Sequence, residues 1–322
     1  MSEPVITARG LIKRYGNAAA VDNIDFSVAK GEIFGLLGPN GAGKTTTILM
    51  MLGLTEVSDG EIRVLGHDPM RDPLAVKRRV GYMPDSVGFY DNMTAVENLI
   101  YTARLIGIPP AERELRIKAA LARVRLLDVA NKSVRTFSHG MKRRLGLAEI
   151  VMKRAEIAIL DEPTSGLDPQ STAEFLDLIE ELKQEGVTVL LSSHLLDQVQ
   201  RVCDRVALFQ KGQIVLIGSV PELARQVIGG GFVVEVEAKA AADTELDARF
   251  SAIPGVLSVS RVSDVRYRLT ADRDVRPEAA RAVVAANGSL YQLQVAEPSL
   301  DVIYRRFFEN QAANGRGVRD AA

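Results

Sequence analysis

Hydrophobic and polar positions follow several different rhythms along this chain. Residues 4–9 and 24–28 alternate as strands do, the second with Ile24, Phe26 and Val28 on one face. "EIFGLLG", residues 32–38, is a continuous apolar run ending in a glycine-rich turn, the pattern of a strand buried on both faces. From Thr94 to about Ile108, and from Pro110 to Leu127, apolar residues recur at helical spacing. Apolar strands return at 157–160 and 187–192, with a helix at 171–185 between them. That alternation predicts an α/β fold built on a mostly parallel sheet. The rhythm changes after "GSVPELARQVIGGG", where Gly229–Gly231 reads as a hinge. Beyond it come "FVVEVEA", a helix around 244–252, "GVLSVSRV", "VRYRLT", a helix near 277–286 and "LYQLQV". The order β-α-β-β-α-β predicts a small ferredoxin-like α+β domain. A last helix, "SLDVIYRRFFEN", is expected to pack on this domain or on a partner. The expected domains are therefore 1–228, with a helical subdomain at about 86–150, and 229–322, ending in a flexible tail.

Composition narrows the picture. The 322 residues, 47% of them hydrophobic, are enough for two domains with substantial cores. Lys and Arg number 40 against 41 Asp and Glu, a formal net charge of −1, so no global charge favours nucleic acid as a partner. Cys203 is the single cysteine, which excludes an intramolecular disulfide and a cysteine-based metal site and fits a reducing cytosol. "MSEPVITARGLIKRYG" lacks the apolar core of a signal peptide. No apolar run approaches the ~18–20 residues that span a bilayer. A membrane role is expected to need a separate subunit.

The chemistry lies in the first domain. "GPNGAGKTT", Gly38–Thr46, matches G-x-x-x-x-G-K-[ST], follows a predicted strand and opens a predicted helix, as this phosphate loop requires. Its glycines let the backbone N–H groups of Gly38, Pro39–Gly43 and the residues that follow lie close to phosphates, proline excepted. Lys44 is placed to bridge β- and γ-phosphates, and the Thr45 hydroxyl to bind Mg²⁺. "IAILDEPTSGLD" brings Asp161 and Glu162 to the carboxyl end of an apolar strand, where ligands bind in such sheets. Asp161 is expected to hold Mg²⁺, through water, and Glu162 to act as general base on the attacking water. His194, in "VLLSSH", ends another apolar strand and is expected beside the γ-phosphate, orienting the water. His67 and His139 carry no such signal. "TFSHGMKRRLGLAE" is a second candidate anion site: small residues, Ser138 and Gly140 among them, run into a helix with free N–H groups. The basic run Lys142, Arg143, Arg144 reads as a solvated helix face.

These residues together resemble the ATP-binding subunits of ABC transporters, over about residues 4–222, with all motifs in the family's order. The resemblance implies a P-loop ABC-type ATPase with a mixed sheet and a helical subdomain. It further implies that Tyr15 stacks on adenine, and that the loop Pro39, Asn40, Gly41, Ala42, Gly43, Lys44, Thr45 and Thr46 holds the phosphates of ATP. "SHGMK", 138–142, is similar to the family signature usually written LSGGQ. Phe137, His139 and Met141 depart from it, whereas Ser138 and Gly140, the phosphate-touching positions, remain. The S-x-G-M form resembles ABC-2-type, drug-exporter-like members. In the family two subunits pack head to tail, and each signature segment caps the ATP of its neighbour. That explains a second phosphate site in one chain. "SGLD", 165–168, matches the loop along that interface. After "VGYMP" the family usually has a Gln that reaches Mg²⁺ and links the site to the membrane subunit. Here Asp85 stands there, shorter and charged, implying a coupling residue that meets the metal directly or through water.

The resemblance thus implies a MgATP-hydrolysing motor. It would work as a homodimer, or with a paired ATPase subunit, on the inner face of the cell membrane through a permease subunit, with no nucleic-acid partner. The alternative within the family is a soluble non-transport ATPase of the repair or translation type. Such proteins usually carry a coiled-coil insertion or tandem ATPase halves, which this sequence lacks. The C-terminal domain shows no catalytic constellation and reads as a structural or dimerising appendage.

Overall fold

The computed structural model describes residues 4–228, 232–240, 246–296 and 299–316. The expected hinge at Gly229–Gly231, the first two residues of the helix expected at 244–252, and the end of the tail lie outside the described residues. The chain divides into two compact units, one up to Ile217 and one from Gly218.

The first unit opens with β1 (Pro4–Tyr15), β2 (Ala18–Ala29) and β3 (Ile33–Leu37), then α1 (Lys44–Met51) and β4 (Asp59–Val64). Next come α2 (Pro73–Arg79), β5 (Val80–Met83), α3 (Ala95–Leu105), α4 (Pro110–Arg123) and α5 (His139–Lys153). It closes with β6 (Ile157–Leu160), α6 (Pro169–Gln184), β7 (Thr188–Ser193), α7 (Leu196–Gln200), β8 (Arg205–Gln210) and β9 (Gln213–Gly218). β2, β1 and β4 form an antiparallel three-stranded sheet. A six-stranded sheet runs in the order β5-β6-β7-β3-β8-β9 and is parallel from β5 to β8. Only Lys211 and Gly212 join β8 to β9, both at positive φ (48° and 84°), the combination of a two-residue type I′ hairpin. The large sheet is thus mixed.

Every residue of β3, β6 and β7 is buried, as expected where a parallel strand is covered on both faces. The two sheets share one apolar core in which Phe26 and Phe34 stack at 6.0 Å between ring centroids. The helical segment owes its boundaries to local chemistry. Thr94 caps α3 by accepting from Glu97 N (3.1 Å), while Glu97 Oε2 accepts from Thr94 N (2.7 Å). Ala95, Leu99 and Ala103, four residues apart, then fall on its buried face. α5 starts behind Ser138, whose Oγ accepts from Met141 N at 3.2 Å.

The second unit contains α8 (Val220–Ile228), β10 (Phe232–Lys239), α9 (Leu246–Ser251), β11 (Val256–Arg261) and β12 (Arg266–Ala271). α10 (Arg276–Ala285), β13 (Ser289–Ala296) and α11 (Leu300–Arg316) complete it. Its antiparallel sheet has the order β11-β12-β10-β13, which is that of the ferredoxin-like sandwich. Val234, Val236, Tyr267 and Leu269 face Phe250, Ala279 and Val283 in its own core. The opposite sheet face is polar, with Arg268 paired to Glu235 (2.9 Å) and Arg266 to Glu237 (3.3 Å). α8 packs on α11, so it goes with this unit.

Candidate functional site

β5, β6, β7 and β3 are neighbours in the sheet and point the same way, so their carboxyl ends lie in a row. Asp85 follows β5, Asp161 and Glu162 follow β6, His194 follows β7, and Gly38–Thr46 follows β3. Four segments distant in sequence are brought together by strand order alone.

The phosphate loop owes its shape to two glycines. Gly38 has φ 149°, and a Cβ there would lie 2.3 Å from Phe209 O. Gly43, the residue before α1, has φ 110°, and its Cβ would lie 2.6 Å from Ala20 O. Both positions exclude a side chain because backbone already fills the space. Pro39, Asn40 and Gly41 form the exposed rim of the loop, and Ala42 and Gly43 are buried at its base. Lys44 is 4% exposed; its Nζ donates to Gly38 O (2.6 Å) and Pro39 O (3.3 Å) and lies 3.1 Å from Glu162 Oε1. Thr45 is exposed and Thr46 half-buried.

The acids sit against this lysine. Asp161 is buried, and its Oδ1 accepts from Thr45 Oγ1 (3.3 Å) and from Ser192 Oγ (2.5 Å). The same Ser192 Oγ accepts from Glu162 N (2.9 Å). Glu162 has φ 46°, a left-handed conformation that is rare for a residue with a side chain and occurs at functional sites. Its Oε2 meets His194 Nδ1 at 2.8 Å and accepts from His194 N at 3.3 Å. Its Oε1 contacts the Lys44 ammonium out of line for a hydrogen bond and is a buried oxygen with no hydrogen-bond partner. The carboxylate is therefore clasped between an ammonium and an imidazole. Tyr82, on β5, lies near two acids of the row: burial first, then the charges of Asp161 and Asp85, push its phenol up to about 12.

The remaining candidates lie outside this cluster. Tyr15 is 53% exposed at the end of β1, with Lys13 Nζ 4.9 Å from its ring centroid and Thr55 Oγ1 3.5 Å from its hydroxyl. Ser138 and Gly140 stand at the start of α5, where a ring nitrogen of His139 meets Ser165 O at 3.1 Å. The contacts of Asp85 are with Arg143: Arg143 Nη2 donates to Asp85 Oδ1 at 3.0 Å, and Nη1 to Pro84 O at 3.1 Å.

A family model described as "ABC transporter" matches residues 21–165. A linearmycin resistance ATP-binding protein of Bacillus subtilis is 34% identical over 98% of this chain and 100% of its own length. The chain belongs to the ABC transporter family. It is an ATPase of that family, the ATP-binding subunit of a transporter complex. A daunorubicin resistance ATP-binding protein of Streptomyces coeruleorubidus is 33% identical over the whole of both chains. Among solved structures, an ATP-binding subunit of an ABC transporter superposes with a TM-score of 0.63 at 31% identity, covering 69% of this chain and 92% of that one. No helix among the described residues is long and apolar enough to cross a membrane.

Magnesium fits the donors present. Thr45 and Asp161 offer a hydroxyl and a carboxylate in contact, hard oxygen ligands, and no group of three or more His, Cys, Asp or Glu side chains gathers into an all-protein cage among the described residues. Mg²⁺ commonly takes one carboxylate with substrate phosphates and water.

Two expectations need correction or supplement. The run Lys142–Arg144 is not a solvated face. Arg143 is 2% exposed, Lys142 pairs with Asp91 (2.8 Å) and Arg144 with Glu174 (3.7 Å). The signal was in the spacing: Gly140, Arg143, Leu147 and Ile150 fall on one helical face, and all are buried. Ser192 belongs to the site without being part of any of the motifs above. Its signal is polarity in a buried place, the serine pair Ser192–Ser193 closing a strand buried along its whole length.

Proposed function

We propose that this chain binds MgATP at the row of strand ends and hydrolyses it as the motor of an exporter. One observation carries the reading: the Glu162 carboxylate lies between Lys44 (3.1 Å) and His194 (2.8 Å), directly beside the Thr45–Asp161 pair. The phosphate loop receives the β- and γ-phosphates on backbone N–H groups and Lys44, and Tyr15 stacks on adenine through the ring face that Lys13 leaves open. Thr45 and Asp161 hold Mg²⁺, which neutralises developing phosphate charge when bound. Glu162 accepts a proton from water as that oxygen bonds to the γ-phosphorus and the bond to the bridging oxygen of ADP breaks. His194 fixes the carboxylate through its ring and backbone nitrogens.

Two copies pack head to tail. Ser138, Gly140 and the N–H groups at the start of α5 then face the γ-phosphate of the partner copy, a setting a helix N-terminus favours. Loss of that phosphate removes the shared ligand and lets the pair open. The membrane subunit docks on the helical segment, where Tyr90 and Tyr101 are 53% and 41% exposed and meet edge-on at 5.1 Å. Asn98 braces that surface by accepting from Tyr90 N (2.9 Å) and donating to Tyr90 O (3.1 Å). The chain would then work on the cytoplasmic face of the membrane. Full-length similarity to two antibiotic-resistance ATP-binding proteins favours export over a repair or translation role. The test is phosphate release by purified chain, with Glu162→Gln and Lys44→Ala alongside. Equal turnover in all three would end the reading.

A further inference from the structure

Arg143 places a full positive charge inside the protein. At 2% exposure its only ion-pair partner among the described residues is Asp85, which is 60% exposed, and its Nε is buried with no hydrogen-bond partner. A buried guanidinium without a counter-ion is strongly destabilising, so Asp85 is what makes Arg143 tolerable there. The surrounding packing leaves no slack. A Cβ at Gly146 of α5 would lie 3.1 Å from Met83 Sδ and 3.3 Å from Val87 Cγ1, and one at Gly81 of β5 would lie 2.7 Å from Ile150. β5 and the loop after it are thus held against α5 by close contact and by one ion pair. Ser138 caps the same helix little more than one turn ahead of Arg143, with no interruption between them.

We propose that Asp85 is the counter-ion of Arg143 and, through that pair, a positioning residue for the start of α5. It follows β5 in the row of strand ends, yet its effect falls on the segment lent to the partner copy and not on metal binding in its own loop. A shift of the loop after β5 would move Ser138 with it, since the pair and the glycine contacts bind loop and helix together. The inference rests on the shared-site reading above.

Complementation between differently tagged full-length copies tests it, with ATP-dependent association as the first readout and ATPase as the second. Asp85→Asn should weaken association of its homodimer by about tenfold or more, a typical interaction within one network, with KM for MgATP and the Mg²⁺ requirement unchanged and kcat reduced. Mixed with Lys44→Ala, it should regain association, because one interface then combines an intact phosphate loop with an intact α5 start. Mixed with Ser138→Arg it should not, because both copies then carry a damaged α5 start. Arg143→Gln should give the same pattern. The reverse pattern, or a raised Mg²⁺ requirement in Asp85→Asn alone, overturns the proposal in favour of a metal ligand. Recovery with both mixtures or with neither, or full association of Asp85→Asn by itself, also overturns it. If Asp85→Asn does not fold, the double variant Asp85→Asn/Arg143→Gln, which buries no unpaired charge, takes its place in the same mixtures. Lys44→Ala mixed with Ser138→Arg is the control. Failure to recover there refutes the shared-site reading itself.

Discussion

The two helix starts of the first unit that the proposed function assigns to phosphate are built in opposite ways. α1 begins after Gly43 with no side-chain cap, and its first residue, Lys44, is buried among acids. α5 begins after an exposed Ser138 that satisfies its own helix, and the first turn holds no acidic residue. Around α1 the polar groups are matched within the chain: the Lys44 ammonium and the His194 ring meet the Glu162 carboxylate, and the Thr45 and Ser192 hydroxyls hold Asp161. At the start of α5 the exposed groups are the Ser138 hydroxyl and the helix N–H groups, and the nearby Asp91 carboxylate is taken up by Lys142. A site with donors and no acid or metal ligand can receive an anion but cannot activate water on it. On the proposed function, the contrast separates a site that does chemistry from one that senses whether the chemistry has been done.

The largest break in that comparison comes from the base. Glu162→Gln should lower phosphate release by ~10²–10⁴-fold, the usual cost of losing a general base. Binding of a fluorescent ATP analogue should be retained, because the phosphate loop is untouched. No equivalent single change near α5 should reach that size without also abolishing association.

Ser192 sharpens the same side. Its hydroxyl donates to the Asp161 carboxylate and accepts from Glu162 N, holding the backbone of a residue at positive φ. Ser192→Ala leaves a buried donor and acceptor without that hydroxyl, about 1–3 kcal/mol, or roughly 5- to 150-fold in kcat if the lost order is needed in the transition state. Ser192→Thr keeps the hydroxyl and should recover most of the rate. Equal rates for Ala and Thr would remove Ser192 from the site.

Ser138→Ala acts on the other side and by less. Loss of the cap on Met141 N should lower stability by about 0.5–2 kcal/mol in urea unfolding. ATP binding by a single copy should stay unchanged while association of two copies weakens. A drop in single-copy binding would mean that the two helix starts are not separable.

The smallest effect is a slope. Burial pushes the Glu149 carboxyl up from the ordinary range, against the opposing pull of the Thr102 hydroxyl and Lys153. Between the ordinary glutamate value and the raised one, the folded chain binds more protons than the unfolded chain, so this group makes stability fall as pH rises. Its contribution is fully present below the unfolded value and lost as pH passes the folded one. Glu149→Gln should flatten that part of the stability–pH curve, read from unfolding midpoints measured upward from the ordinary glutamate value of about 4.3. An unaltered slope would show that Glu149 titrates as an exposed acid does.

None of the sequence patterns above marks β4, β5, β8 or β9 of the first unit as a strand. Legible in the sequence were the phosphate loop, the strand that delivers Asp161 and Glu162, the Ser138 start of α5 and the strand–helix order of the second unit. Each depends on backbone requirements or periodicities that act within a few residues: glycine where φ is positive, a hydroxyl before a helix, apolar runs in parallel strands, alternation in the ferredoxin-like sheet. Folding of the whole unit is what sets β5, β6, β7 and β3 side by side, joins Asp161 to the Glu162 backbone through Ser192, and turns Arg143 inward to meet Asp85. Those contacts join residues some 30 to 58 positions apart along the chain. Which strand lies beside which is chosen by burial of the whole sheet, and a local pattern carries no record of it. An arginine within a basic run looks the same from the sequence whether it faces water or a carboxylate. Packing against β5 and the loop after it settles which: Gly146 sits tightly against Met83 and Val87, and the guanidinium lies buried against Pro84 O and Asp85.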